Sequence, residues 1–122
     1  MLFGSDKNKN TTEIGQSAES RAAEYLTKQG LKIIDRNFSA KTGEIDLIAL
    51  DAETLVFIEV KFRKSNRFGQ PYETVTHSKQ QKIIRTAQTF LLKNKKYTNN
   101  ACRFDIISML NDEITWFKHA FE

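Results

Sequence analysis

Two acids and an amine near the middle of the chain have the residue types of a metal-dependent hydrolytic site. Asp46 lies in the segment EIDLIAL, and Glu59 and Lys61 lie in the segment LVFIEVKF. Mg²⁺ prefers oxygen ligands and often uses only one or two carboxylates, leaving its other positions to water and substrate phosphate. An ammonium group beside such an ion stabilises the negative charge that develops on a phosphate. The residue types therefore point to phosphodiester hydrolysis, provided that the fold brings them together.

The two segments predict a β-hairpin. Glu44–Leu50 and Leu55–Phe62 have the length and composition of strands, and Asp51–Thr54 between them has the length of a hairpin loop. Placing Leu50 opposite Leu55 fixes the register of every other position. The predicted cross-strand partners are Ile48 with Phe57, Asp46 with Glu59, and Glu44 with Lys61.

One face of the predicted hairpin is apolar along its whole length and must pack in a core. That face carries Ile45, Leu47, Ala49, Val56, Ile58, Val60 and Phe62. Side chains alternate between the faces of a strand. The other face therefore carries Glu44, Asp46, Glu59 and Lys61. Two ionised carboxylates placed opposite each other are destabilising, and a bound divalent cation reverses the sign of that interaction.

A different interpretation of the same residues needs no metal. Glu-x-Lys on a strand is also typical of a solvated face with ion pairs. On such a face Lys61 would pair with Asp46, and Lys41 would pair with Glu59. A surface network of this kind contributes about 0–1 kcal/mol per pair. The pattern alone leaves both interpretations open.

The rest of the chain predicts the elements that hold this hairpin. A helix is predicted from Glu13 to Gln29, with Thr12 as N-cap and Gly30 at its C-terminal end. The order α-β-β-β-α-β-β predicts an α/β fold, a mixed sheet flanked by helices. The other predicted elements are strand Lys32–Phe38, a polar turn at residues 39–43, a loop over Arg63–Thr76, helix His77–Lys93, and strands Arg103–Leu110 and Ile114–Phe121.

Composition sets the broad class. The chain has 122 residues, 39% of them hydrophobic, and no apolar run long enough for a membrane span or a signal peptide. We expect a flexible tail over residues 1–12, a single domain over residues 13–122, and a cytoplasmic location. Cys102 is the only cysteine, which excludes an internal disulfide, and it is expected to be a small buried hydrophobe. A net charge of +4 is compatible with a phosphate-rich partner but does not establish one.

Further charged residues flank the predicted site. Glu19 falls at the border of an apolar helix face, and Gln80 lies in line with the inward stripe of the second helix. Each is equally well explained as a surface residue. Asp105, between two apolar residues of a strand, predicts a structural ion pair with a neighbouring arginine. The candidate nucleic-acid-binding residues, interleaved with Phe68 and Tyr72, are Arg63, Lys64, Arg67, Lys79 and Lys82, although a solvated basic surface would have the same pattern.

The runs Gly43–Ile48 (GEIDLI) and Phe57–Arg63 (FIEVKFR) resemble the YraN-like family of uncharacterised proteins. That family is assigned to the restriction-endonuclease-like superfamily of PD-(D/E)xK nucleases. The resemblance implies a mixed sheet between helices with an αβββαβ core. It also implies Asp46 and Glu59 as metal ligands and Lys61 as the catalytic lysine. The proline of the superfamily name is absent, since Ile45 precedes Asp46.

Two more positions match patterns of the same superfamily. Glu19 is similar to the helix glutamate of archaeal Holliday-junction resolvases, and Gln80 matches the superfamily's helix glutamine. We therefore expect a resolvase-like endonuclease that uses Mg²⁺ or Mn²⁺ and acts on nucleic acid, DNA rather than RNA. No membrane partner is expected, and analogy with the superfamily leaves a homodimer open. The alternatives are a non-catalytic nucleic-acid-binding protein that retains the fold, or an interaction module that borrows it.

Overall fold

Within residues 11–122, one five-stranded sheet lies between two helices. The computed structural model describes the backbone of residues 11–122 and the side chains of residues 17–122. The helices are α1 (Thr11–Lys28) and α2 (His77–Lys93), and short 3₁₀ turns cover Pro71–Thr74 and Lys95–Tyr97. The strands are β1 (Lys32–Ala40), β2 (Gly43–Asp51), β3 (Thr54–Arg63), β4 (Cys102–Leu110) and β5 (Glu113–Phe121). This mixed sheet with two helices confirms the α/β class, while the restriction-endonuclease-like core stays a prediction.

The strands follow one another across the sheet in the order β1-β2-β3-β4-β5. Neighbouring strands are antiparallel except β3 and β4, which are parallel. A parallel pair needs a long crossover, and α2 supplies it. Among residues 11–122, no helix combines the length and apolar character needed to cross a membrane.

α1 packs on one face of the sheet. Small residues on its inner side let the helix approach closely, and Leu26 fills the space that remains. The strand residues buried against α1 come mainly from the centre of the sheet. They are Leu47, Ala49, Val56, Ile58, Ile107 and Met109, with Val60 and Phe62 packed at the margin.

α2 packs on the opposite face. Its N-cap is Thr76, whose side chain accepts a hydrogen bond from the Lys79 N–H at 3.3 Å. The inward side of α2 presents Ile83, Ala87 and Phe90 to the sheet. The strand residues buried against it include Ile45, Ile48, Leu55, Phe57, Ile106 and Phe121.

The described elements extend beyond several predicted ends. α1 begins at Thr11 rather than Glu13, so Thr12 lies within the helix and not at an N-cap; residues 1–10 of the predicted tail lie outside the described residues. The prediction of a polar turn over residues 39–43 is wrong, because only residues 41–42 separate β1 from β2. Thr42 Oγ1 lies 2.7 Å from Thr86 Oγ1 on α2. That contact holds the two-residue turn against α2, so β1 and β2 both extend up to the turn.

The predicted register of the β2–β3 hairpin is confirmed where the strands pair. Leu50 lies opposite Leu55, and Ile48 lies opposite Phe57. The prediction that Ile45 shares a face with Leu47 is wrong, because Ile45 packs on the α2 side and Leu47 on the α1 side. Asn37 of β1 provides the physical reason.

Asn37 has a positive φ of 54° within β1. It lies between the pairs Arg36–Leu47 and Phe38–Ile45, and therefore opposite Asp46. A left-handed residue interrupts the alternation of side chains, and asparagine tolerates that conformation better than most residues. The alternation of both strands breaks at this position, which leaves Asp46 between the two cores.

Candidate active site

Asp46 lies where the β2–β3 ladder ends. The last paired residues are Leu47 and Ile58, so the backbone ladder stops one position before Asp46 and Glu59, which the same register would place opposite each other. Instead, Asp46 Oδ2 accepts a hydrogen bond from the Val60 N–H at 2.8 Å. The carboxylate thus takes the place of a strand carbonyl, which holds it in the gap between the two strands.

Glu59 meets Asp46 in this gap. Its side chain is only 12% exposed, and its carboxyl group is in hydrogen-bonding contact with that of Asp46. Burial, followed by the hydrogen bond and charge of Asp46, raises the pKa of Glu59 to about 9. The metal-free site therefore holds a proton at neutral pH, because two adjacent carboxylates cannot both ionise cheaply.

Lys61 supplies the positive charge of the site. Its Nζ lies 3.6 Å from Glu59 Oε2, and its side chain is 25% exposed. The predicted pairing of Glu44 with Lys61 is wrong, because Glu44 is exposed and pairs with Ser39 of β1. The alternative of a solvated network is also wrong for Glu59, which is buried and in contact with the ammonium group of Lys61.

Glu19 reaches the same place from α1. It is half-buried, and its carboxyl group is in hydrogen-bonding contact with Asp46 and with the Asn37 side chain. Burial, together with the charge and hydrogen bond of Asp46, raises the pKa of Glu19 to about 7. The break at Asp46 lets an acid from the α1 side and an acid from the α2 side converge on one carboxylate. We call Glu19, Asp46 and Glu59 the carboxyl cluster.

The carboxyl cluster suits a divalent cation by its donor chemistry. All three donors are carboxylates with few compensating cations, so a bound ion would replace protons and relieve repulsion. Within residues 17–122, no three His, Cys, Asp or Glu side chains have the arrangement of a preformed metal site. Mg²⁺ needs only one or two carboxylates when waters and a substrate phosphate complete its shell. Asp46 and Glu59 are the pair that would hold it.

Gln80 lies apart from the carboxyl cluster. Its Nε2 donates to the Val75 carbonyl at 3.2 Å, and its side chain lines a cavity with Ile106 and Phe117. The cavity is on the α2 side of the sheet, which is also the side of Glu59. The structure therefore places Gln80 on the expected face but anchors its amide to the backbone.

The candidate nucleic-acid-binding residues form two groups. Arg63 ends β3 and Lys64 and Arg67 follow it, and the Arg63 guanidinium donates to the Phe68 carbonyl at 3.2 Å. The Arg67 guanidinium lies 5.8 Å from the centre of the Phe68 ring, which is 83% exposed. The second group, Lys79 and Lys82, is exposed on the first turns of α2. Both groups belong to elements on the Glu59 side of the sheet.

Residues 18–109 match the model of the uncharacterised protein family UPF0102. The chain belongs to this family. UPF0102 proteins of Francisella tularensis subsp. tularensis (strain WY96-3418) and Coxiella burnetii are each 48% identical to it, over 112 and 113 residues. The alignments cover 91% and 92% of this chain and 96% and 94% of the relatives. The UPF0102 protein of Saccharophagus degradans is 48% identical over 109 residues.

Asn37 is the site residue of this UPF0102 protein that sequence reasoning missed. It contacts Glu19 and places the break opposite Asp46. An asparagine inside a predicted strand is the one signal that could have found it, because strands are depleted in asparagine. The Val60 N–H, which anchors Asp46, has no sequence signal at all, since every residue except proline carries that donor.

Proposed function

We propose that this UPF0102 protein is a resolvase-like, metal-dependent endonuclease that hydrolyses phosphodiester bonds in nucleic acid. The observation that carries the proposal is the contact between the carboxyl groups of Asp46 and Glu59, with the Lys61 ammonium 3.6 Å from Glu59. The family match extends over both motif segments, which supports the resemblance drawn from them. Assignment to the PD-(D/E)xK superfamily is part of the proposal.

The energetics favour a functional role for these acids over a structural one. Desolvating a carboxyl group costs free energy, and placing it against another acid adds to that cost. A structural site would recruit cations and N–H donors around the acid. Here Glu59 lies against Asp46, and the Lys61 ammonium group 3.6 Å away only partly offsets the effect of burial and of Asp46. Perturbed carboxyl groups of this kind cluster at active sites.

Each residue then has a defined role in hydrolysis. Asp46 and Glu59 would hold Mg²⁺ or Mn²⁺, which supplies an activated water and neutralises the phosphate. The Val60 N–H fixes the Asp46 carboxylate, so this ligand is already oriented. Lys61 stabilises the negative charge that develops on the scissile phosphate. Glu19, which holds a proton near neutral pH, is a further acid at the edge of the site.

Nucleic acid is the partner that the surrounding charges favour. Residues 61–72 carry four basic side chains and no acid, and they follow directly from the strand that bears Glu59. Basic side chains neutralise phosphates and release counterions, which gives salt-dependent binding. We propose that the substrate is DNA rather than RNA. We also propose a homodimer, because two copies of the site could cut two strands.

Cleavage assays test the proposed function directly. Labelled branched, single-stranded and duplex DNA and RNA are incubated with Mg²⁺, Mn²⁺ or EDTA. We expect metal-dependent cleavage that Asp46→Ala and Lys61→Ala each reduce by at least ~100-fold, because each removes charge stabilisation from the reacting phosphate. The matched controls are Asp112→Ala and Lys28→Ala, whose side chains are 95% and 73% exposed, and these should cleave like the wild type.

The outcomes separate the alternatives. Metal-independent binding without cleavage of any substrate would replace the nuclease by a nucleic-acid-binding protein that retains the fold. Absence of binding at low salt would favour a protein interaction module. Cleavage that survives Asp46→Ala would move the reaction away from the carboxyl cluster.

A further inference from the structure

A cavity of about 580 Å³ opens on the α2 side of the sheet. It lies between the 3₁₀ turn Pro71–Thr74, the start of α2, and strands β4 and β5. Its walls include Tyr72, Val75, Gln80, Ile106 and Phe117. This size falls within the range of ~300–1,000 Å³ that small-molecule sites occupy. Aromatic and aliphatic walls with an amide and two charged residues, Glu73 and Lys118, are suited to a flat, partly polar ring.

Two aromatic rings form one wall of the cavity. The ring centres of Tyr72 and Phe117 are 4.9 Å apart, and their planes are tilted by 52°. Tyr72 is nevertheless 40% exposed, so part of its ring has no protein neighbour. The backbone N–H of Tyr72 donates to Ser108 Oγ at 3.1 Å, which fixes the turn on β4. An aromatic ring held in this way can stack with a planar group without first being ordered.

The register of the sheet places this cavity next to the reacting groups. Glu59 pairs with Ile106 in parallel β4, and Ile106 pairs with Phe117 in β5. Neighbouring strands are about 4.8 Å apart. Ile106 is therefore one strand from Glu59 and Phe117 two strands, or about 5 and 10 Å across the sheet. Lys61 in turn pairs with Ser108, the residue that holds Tyr72.

The basic residues near the cavity indicate which class of ligand would enter it. The segment between Lys61 and Tyr72 contains Arg63, Lys64 and Arg67 and no acid, so it suits a phosphate backbone. Glu73 also lines the cavity, but its carboxylate accepts the Gln70 N–H and caps the 3₁₀ turn. Phosphates would follow the basic segment, and an aromatic base attached to that backbone would reach the cavity.

We propose that this cavity binds an unpaired nucleobase, stacked on Tyr72, from the nucleotide next to the phosphate at Lys61. A base in a duplex is stacked between its neighbours, and only a single-stranded or flipped-out base can enter such a site. The substrate class is therefore nucleic acid with an unpaired nucleotide beside the scissile phosphate. The position of that phosphate rests on the proposed function, whereas the stacking does not.

Binding measurements in EDTA test the site without any cleavage. Fluorescence anisotropy measures the affinity for a single-stranded DNA oligonucleotide and for a series in which one base at a time is replaced by an abasic residue. In the wild type we expect one position at which loss of the base weakens binding about 5- to 100-fold, the range for base–aromatic stacking. Tyr72→Ala should weaken binding of the intact oligonucleotide equally, and removal of that base should then cost nothing further.

Matched variants separate stacking from loss of structure. Tyr72→Phe keeps the ring and should bind like the wild type. Leu92→Ala truncates another exposed apolar residue, 73% exposed near the end of α2, and should also bind like the wild type. A 2-aminopurine base at the sensitive position should lose fluorescence on binding wild-type protein and keep it with Tyr72→Ala.

The site is overturned if no abasic position weakens binding, if the effects of Tyr72→Ala and the abasic residue add, or if the oligonucleotide does not bind at low salt. Because binding is measured in EDTA, these results test the base-binding site and do not test metal-dependent cleavage. A protein that shows the non-additive stacking but cuts no substrate retains the base site and loses the proposed nuclease function.

Discussion

Two buried acids on neighbouring strands have opposite surroundings. Asp105 of β4 has no exposed surface, and its carboxylate accepts hydrogen bonds from Arg103 Nε at 3.0 and 3.2 Å. It also accepts from Trp116 Nε1 and from the His119 N–H, each at 2.9 Å. Each of these partners is an N–H donor, and one of them, Arg103, carries a positive charge. This confirms the prediction of a structural ion pair with a neighbouring arginine.

Glu59 of β3 is largely buried, with 12% of its side chain exposed, but it lies against Asp46 and its pKa is raised to about 9. Burial of charge alone therefore does not identify a functional acid. The charge of the neighbouring groups is what separates the two acids, because Asp105 is surrounded by N–H donors and a cation, whereas Glu59 lies against another acid. The two acids should respond in opposite ways when their charge is removed.

The largest effect is expected at Asp105. Asp105→Asn should lower the free energy of unfolding by about 3–5 kcal/mol. It removes the buried charge that pairs with Arg103, leaving Asp51 beside the guanidinium, and it turns an amide group towards buried N–H donors. Urea unfolding at pH 7 measures the change, with Asp112→Asn as the exposed control. A loss below about 1 kcal/mol would mean that the ion pair contributes no more than a surface pair.

A smaller effect of opposite sign is expected at Glu59. In EDTA, the pKa of Glu59 is about 9 in the folded protein and about 4.5 in the unfolded chain. Between these values the folded state binds the extra proton, so stability is lost as the pH rises. Glu59→Gln should remove this slope and stabilise the metal-free protein by roughly 1–3 kcal/mol at pH 8.5.

Urea unfolding between pH 5 and 9 in EDTA measures this effect. The wild type and Glu59→Gln should have similar stability near pH 5 and diverge above it. If Glu59→Gln destabilises the protein at pH 8.5, the ionised acid is stabilised by its surroundings. The contrast with Asp105 would then be lost.

The smallest effect is expected at Glu19, whose carboxyl group is half-buried and whose pKa is raised only to about 7. The same sign applies: stability is lost as the pH rises from about 4.5 through 7. Glu19→Gln should stabilise the metal-free protein by no more than about 1 kcal/mol at pH 8.5, since water screens a half-exposed group. The same titration checks it, and a gain larger than that of Glu59→Gln would reverse the assignment of the more buried acid.

Local pattern was sufficient for most of the fold. Alternation of apolar residues fixed the register of Leu50 with Leu55, because a slip by one residue would expose a complete apolar face. It also identified the order of helices and strands. The apolar pattern gave a wrong prediction for Cys102, which was expected to be buried. Cys102 is the first residue of β4 and is exposed, and nothing in the apolar run Ala101–Phe104 shows where the buried part of the strand begins.

The types of the site residues were likewise visible in the sequence, but the way in which their side chains come together was not. Strict alternation placed Ile45 on the wrong face and continued the backbone ladder to Asp46 and Glu59, one position beyond its end. The left-handed Asn37 breaks that alternation, and its conformation is set by packing of β1 and not by its identity alone.

By itself, the sequence determined that β2 pairs with β3, which faces of that hairpin are apolar and which acids and amine it carries, because these follow from a period of two residues. Only the tertiary structure decided that Glu19 joins Asp46, that the Val60 N–H orients Asp46, and that Tyr72 lies on Ser108, the strand partner of Lys61. These contacts join residues far apart in the chain. Their geometry depends on how helices, turn and sheet pack together, which no local pattern encodes.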